Sequence, residues 1–230
     1  LCTAILRAEA RSAGLPSDFT ISDEADSIEL LREIGPFDPR SAGRFYHAIG
    51  QAKAAVESRE LTWPLDFERL FAPLGEASSL ARRYQEELAQ QGLLDFGDLV
   101  LLVNALFVRR PEVRRQWAER FDFVQVDEVQ DTHRAEYRVV WVLAHRSGNL
   151  ALFGDVAQTI SGWSGSDPTA IIERFRRAFG PVAELPLRHN RRATRRLVRA
   201  ADGFALSFAR RWTSVAADDD APDGDGLVLH

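Results

Sequence analysis

The stretch Phe123–Tyr137, FVQVDEVQDTHRAEY, opens as an apolar, β-branched run and then sets three acids within five positions, Asp127, Glu128 and Asp131. The run reads as a strand over 122–126, and the polar segment leads into a helix over 133–145. A second apolar run, NLALFGD, reads as a strand over 149–153 that ends in Gly154-Asp155. Beyond it the pattern continues as a helix over 168–179, a strand over 182–187 and a helix over 192–208. Strands alternating with helices predict an α/β fold with a mostly parallel sheet. In such sheets ligands bind outside the carboxyl ends of the strands. A strand-tip aspartate there can hold magnesium, a cation that prefers oxygen ligands. An adjacent glutamate can orient or deprotonate a water that attacks a phosphoryl group. The same carboxylates could instead be a solvated strand end, or caps of the helix over 133–145.

Upstream of residue 93 the texture is helical. Leu1–Ala13 carries Ile5 and Leu6 among charged residues and stops at Gly14-Leu15-Pro16. Asp18–Asp23 reads as a short extended or turn segment. Ser22 or Asp23 can cap a helix bearing Ile28, Leu30, Leu31 and Ile34, which Gly35-Pro36 ends. Helices are expected at about 39–57 and 76–91, with a loop region containing Trp63-Pro64, Pro73 and Gly75 between them. A helix follows Asp95, with Asp95 and Asp98 as a cap and a structural contact, and Pro111 opens another at its first turn. The acidic, Gly/Pro-rich segment Asp218–Gly226 reads as a flexible linker or loop, and LVLH after it as the start of a strand.

The composition frames these readings. The 230 residues are 45% hydrophobic and 27% charged, as expected of a globular protein with a sizeable core. No apolar run approaches the roughly 20 residues that span a bilayer, and no signal-peptide pattern is seen, so no membrane partner and a cytoplasmic location are expected. The single Cys2 excludes an internal disulfide framework. The absence of Met predicts that the chain is a piece of something longer or a processed product. Lys53 is the only lysine among 29 basic residues, and the net charge of −5 makes any nucleic-acid site a local one.

The motifs LDFGDLV, VDEVQDT, FGDVAQTISGWSG and LPLRHNRRAT, in this order, resemble those of superfamily 1 DNA helicases of the UvrD/Rep/PcrA type. The resemblance covers nearly the whole chain. It implies an inserted all-helical domain over 1–92, the second half of a RecA-like domain with its parallel sheet over 93–186, and the start of a second RecA-like domain over 187–230. It implies ATP and magnesium as cofactors. The partners it implies are single-stranded or partly duplex DNA and the remainder of the helicase chain. By the same resemblance Asp127 organises magnesium, Glu128 is the general base, Gln158 senses the γ-phosphate and Arg192 contacts it. Gln130, Asn190 and Arg191 fall at nucleotide-side positions. Trp163 matches an aromatic on which a base stacks. Ser161 and Ser164 stand at DNA-side positions where the family usually has Tyr and Arg, and Arg191 where a tyrosine usually stacks on the adenine. A phosphate loop, G-x-x-x-x-G-K-[ST], is absent, since the only lysine lies in HAIGQAKA. The implied function is part of an ATP-dependent, 3′-to-5′ DNA helicase in repair or recombination, inactive alone. The alternative is a non-catalytic, helicase-derived module that binds DNA or protein.

Overall fold

The computed structural model describes residues 1–159, 167–208 and 216–225. Its helices are α1 (Cys2–Ala8), α2 (Ala10–Ala13), α3 (Glu24–Ile34), α4 (Pro39–Ala55), α5 (Phe67–Phe71), α6 (Ser78–Gln90), α7 (Phe96–Arg109), α8 (Pro111–Ala118), α9 (Arg134–Ala144), α10 (Pro168–Phe179) and α11 (Arg195–Phe208). The strands are short and pair in parallel: β1 (Thr20–Ile21) with β2 (Leu93–Leu94), β3 (Val124–Val126) with β4 (Leu150–Leu152), and β5 (His189–Asn190) with β6 (Ala216–Ala217). The chain is therefore mixed α/β, as the alternation predicts, but among the described residues the strands form three separate pairs.

Local chemistry explains where the helices start. Asp23 caps α3 by accepting a hydrogen bond from Asp26 N at 2.9 Å. Asp38 caps α4 by accepting from Arg40 N and Ser41 N, with Pro39 at the first helical position. Asp95 and Asp98 form a reciprocal capping box on α7.

Helix α7 joins two apolar clusters. Its Leu99, Leu102, Val103 and Leu106 meet Ile5, Leu6, Trp117 and Leu143, while Leu101 and Ala105 meet Leu31, Ile49, Tyr84 and Leu88. Asn104 Nδ2 reaches from α7 to the α9 carbonyl of Ala135 at 3.0 Å, tying the helical layer to the helix that connects β3 and β4. A third, smaller cluster of Val129, Tyr137 and Ile171 lies beside β3 and β4, with Val126, Leu150, Leu152 and Phe175 packed against it.

Three expectations are corrected. The first helix breaks at Glu9, whose φ of −111° leaves the helical region. Residues 182–187 form no strand: Leu185 and Leu187 are 83% and 84% exposed, with no sheet face to bury them. Pairing begins only at His189, where β5 finds β6. The loop region after α4 contains helix α5, capped by Asp66 accepting from Arg69 N at 3.0 Å. Of the two forms expected for the acidic segment, flexible linker or loop, residues 218–225 take the loop: Pro222 O and Asp223 O accept the Arg195 and Arg196 N–H groups at the start of α11. Acidic residues suit that end of a helix, where the macrodipole is positive. The expected strand at LVLH falls outside the described residues.

Candidate active site

The question raised by the acids after β3 has a backbone answer. Val126 O accepts from Phe153 N at 2.8 Å, and Val129 N donates to Phe153 O at 2.9 Å. Between these two bonds the chain must bulge. Glu128 adopts φ 51° and ψ 45°, the only positive φ of a non-glycine residue among those described. Such a left-handed conformation costs a side-chain-bearing residue about 1–2 kcal/mol. It leaves Asp127 and Glu128 exposed at the strand tip while Val129 and Gln130 turn inward, 5% and 2% exposed. Asp127 Oδ1 accepts from Glu128 N at 3.0 Å, which steadies the bend.

Gln130 joins the two strand tips. Its Nε2 donates to Glu128 Oε2, and its Oε1 accepts from Asp155 N at 3.1 Å. Asp155 Oδ2 in turn accepts from Gln158 Nε2 at 2.9 Å, and Asp155 O from Gln158 N at 2.9 Å. A continuous hydrogen-bonded path thus runs from the Glu128 carboxylate to the Gln158 amide. Asp127, Glu128, Gln130 and Gln158 are brought to one edge. Magnesium is commonly held by one or two carboxylates plus substrate phosphates and water, and here the exposed Asp127 would be the protein ligand. Bound there, the ion would offset phosphate charge.

Asn190, Arg191 and Arg192 sit where β5 turns into α11, and their described contacts are with that segment and with β6 and Asp218 beside it. Asn190 Oδ1 accepts from Arg192 N and Ala193 N, both at 2.9 Å, so its side chain shapes the turn. Arg191 Nε lies 3.6 Å from Asp218 Oδ2. Arg192 is exposed. Ser161, Trp163 and Ser164 lie outside the described residues.

Two residues that the sequence reading named without giving them a role have one in the structure, Gly154 at the strand tips and Lys53 in the helical layer. The first is Gly154: a Cβ there would lie 2.5 Å from Gln130 Oε1, 2.8 Å from Val129 Cγ1 and 3.1 Å from Val129 N. The signal was a glycine immediately before a strand-tip acid. Gly154→Ala should force Gln130 off its bridge and destabilise the chain by about 1–3 kcal/mol, the usual cost of overpacking. Urea unfolding measures this, and an unchanged midpoint would remove the steric role. The second is Lys53, fully buried, with Nζ 2.7 Å from Asp95 Oδ2 and 2.8 Å from Asp98 Oδ1. Its signal was being the only lysine.

A β–α–β unit with paired carboxylates at its carboxyl edge belongs to the class of α/β proteins that handle ligands at strand tips. Within that class the family is defined by sequence: residues 1–179 match the UvrD/REP helicase N-terminal domain, and the chain belongs to this family. It is similar to the ATP-dependent DNA helicase PcrA of Bacillus subtilis, 35% identical over 221 residues, covering 92% of this chain and 29% of the relative. The PcrA of Staphylococcus aureus is 31% identical over 229 residues, covering 93% and 30%. That of Staphylococcus epidermidis is 29% identical over 226 residues, covering 95% and 31%. The chain thus spans under a third of the length of these relatives. Among the described residues, no helix is long and apolar enough to cross a membrane.

Proposed function

We propose that this chain supplies the hydrolytic half of the ATP site of a UvrD-like DNA helicase. In this reading Asp127 organises magnesium on the nucleotide and Glu128 activates the attacking water. Gln158 reports the γ-phosphate through the Asp155–Gln130–Glu128 path, and Arg192 contacts the γ-phosphate from a second motor domain. Asn190 and Arg191 lie on the nucleotide side, and Trp163, flanked by Ser161 and Ser164, meets single-stranded DNA. Residues 1–92 are the inserted helical domain, 93–186 the second half of the first RecA-like domain and 187–230 the start of the next. The motor steps 3′ to 5′ along DNA in repair or recombination, in the cytoplasm.

The observation that carries this reading is the strained left-handed backbone at Glu128, held by the Gln130 bridge to the neighbouring strand tip. Strain of this kind clusters at working sites. The apolar residues left open beside the β3–β4 pair, Phe123 at 74% and Phe153 at 47% exposure, support the presence of more of the motor domain against it. Phosphate binding falls to residues outside this chain, because its sequence holds no phosphate loop. The 230 residues alone are expected to show no magnesium- and DNA-stimulated ATP hydrolysis, and a longer chain that includes a phosphate loop is expected to show it. Turnover by the 230 residues alone would overturn the division of labour.

A further inference from the structure

On the surface between α9 and α10 lies an open cavity of about 390 Å³. It is lined by Tyr137, Arg138, Trp141, Arg174, Arg177 and Ala178. Three arginines converge here in a chain of net charge −5, and no acidic residue is in the lining. Arg174 makes no hydrogen bond or ion pair among the described residues, and the nearby Asp167 is engaged by Arg134 at 3.1 Å. Arg138 reaches Ser58 Oγ at 3.4 Å through Nη1, and its buried Nε has no partner. Burial pulls the Arg138 guanidinium below its usual range; Glu57 opposes this and the Arg174 charge adds to it. Tyr137, 4% exposed, leaves its buried hydroxyl without a partner as well. Arg177 is shared with Glu173 on the exposed face of α10, at 3.1 Å.

Two like charges held side by side, neither in an ion pair with an acid among the described residues, favour an anion between them. The aromatic next to them narrows the choice. Trp141 is 39% exposed and stacked on the His145 imidazole at 4.5 Å between ring centroids. Guanidinium groups beside an accessible aromatic ring match a nucleic-acid strand, whose phosphates take the cations and whose bases stack. We propose that the α9–α10 cavity is an auxiliary site for single-stranded DNA, in which Arg138 and Arg174 hold a backbone phosphate and Trp141 meets a base. Its lining residues are none of those assigned above to the ATP site. It rests on the reading of the chain as part of a DNA-binding motor.

The test is fluorescence anisotropy of a labelled oligo-dT with the 230-residue chain, across a salt series. Arg174→Glu should weaken binding at least about tenfold and lower the slope of log K against log salt by about 0.7 for each phosphate left without its cation. Arg174→Lys, which keeps the charge, should retain most of the affinity, and Trp141→Ala should weaken binding roughly tenfold. Arg174→Glu and Arg174→Lys are both compared with the parent by thermal melting, since a folding defect would affect melting and binding together. Unchanged affinity and salt slope in Arg174→Glu, with binding by the parent, would overturn this site alone. Failure of the parent chain to bind the oligonucleotide would overturn both this site and the DNA-binding reading beneath it. Binding of inorganic pyrophosphate without the oligonucleotide would also overturn it, making the cavity a free-phosphate pocket.

Discussion

Glu128→Gln, made in a helicase chain that includes these residues and a phosphate loop, is expected to cut ATP turnover by about 10²- to 10⁴-fold, the usual contribution of a general base. Nucleotide binding should be almost unaffected. The side chain is exposed at the strand tip, and glutamine keeps its size and an oxygen that can still accept from Gln130 Nε2, so the bridge to Asp155 survives. The substitution removes only basicity. Hydrolysis measured under single-turnover conditions separates chemistry from binding, and turnover within a few-fold of the parent would remove Glu128 as the base. The same experiment on Gln130→Ala should give an intermediate loss, because that side chain positions the acid without touching the reacting atoms.

Lys53→Met is expected to have the largest effect on stability. Removing one partner of a buried ion pair costs about 3–5 kcal/mol, because the remaining charge is left uncompensated. Here two carboxylates share one ammonium, with Tyr84 and Gln85 filling other acceptor sites at 3.1 Å. For a chain of this size the loss corresponds to a fall in Tm of roughly 10 °C. An unchanged melting temperature would show that the cluster is replaceable by apolar packing. The cluster also sets a pH dependence. Burial and the charge of Asp95 push Asp98 up to about 6 against the pull of Lys53. For Asp95, burial works in the raising direction, but the Lys53 charge and hydrogen bond leave it below its ordinary value. A folded-state pKa above the unfolded one means the folded chain holds an extra proton between the two. The Asp98 contribution therefore weakens as pH rises from the ordinary value of 3.8 to about 6. The Asp95 contribution has the opposite sign and is lost only below 3.8. Asp98→Asn should flatten the decline between these values in a urea-midpoint series, and a decline as steep as the parent's would detach it from this group.

What could be read in advance was local. Helix starts at Asp23 and Asp95 follow from single polar side chains close to the first turn. The β3 and β4 runs follow from apolar segments that end in acids. What could not be read depends on distant partners. A strand at 182–187 needs a neighbouring edge, and the chain finds one only at His189, across from Ala216. The left-handed backbone at Glu128 arises from bonds to Phe153 and Gln130 rather than from a residue that favours it. Lys53 and Asp95 lie 42 positions apart in sequence, and no periodicity connects the members of their cluster. The site at the strand tips was legible as a set of residue types, but the bridge that joins them was not legible as geometry.

The buried lysine has one more consequence. Arginine supplies every other side-chain cation in the chain, so a protease that cuts only after lysine has a single target, the bond following Lys53. That bond lies near the end of α4, with its side chain sealed between α4 and α7. Cleavage there would give two fragments and would proceed only through molecules in which this helix has come away from the core. The rate of that single cut therefore times the opening of the helical layer, without any label or engineered residue.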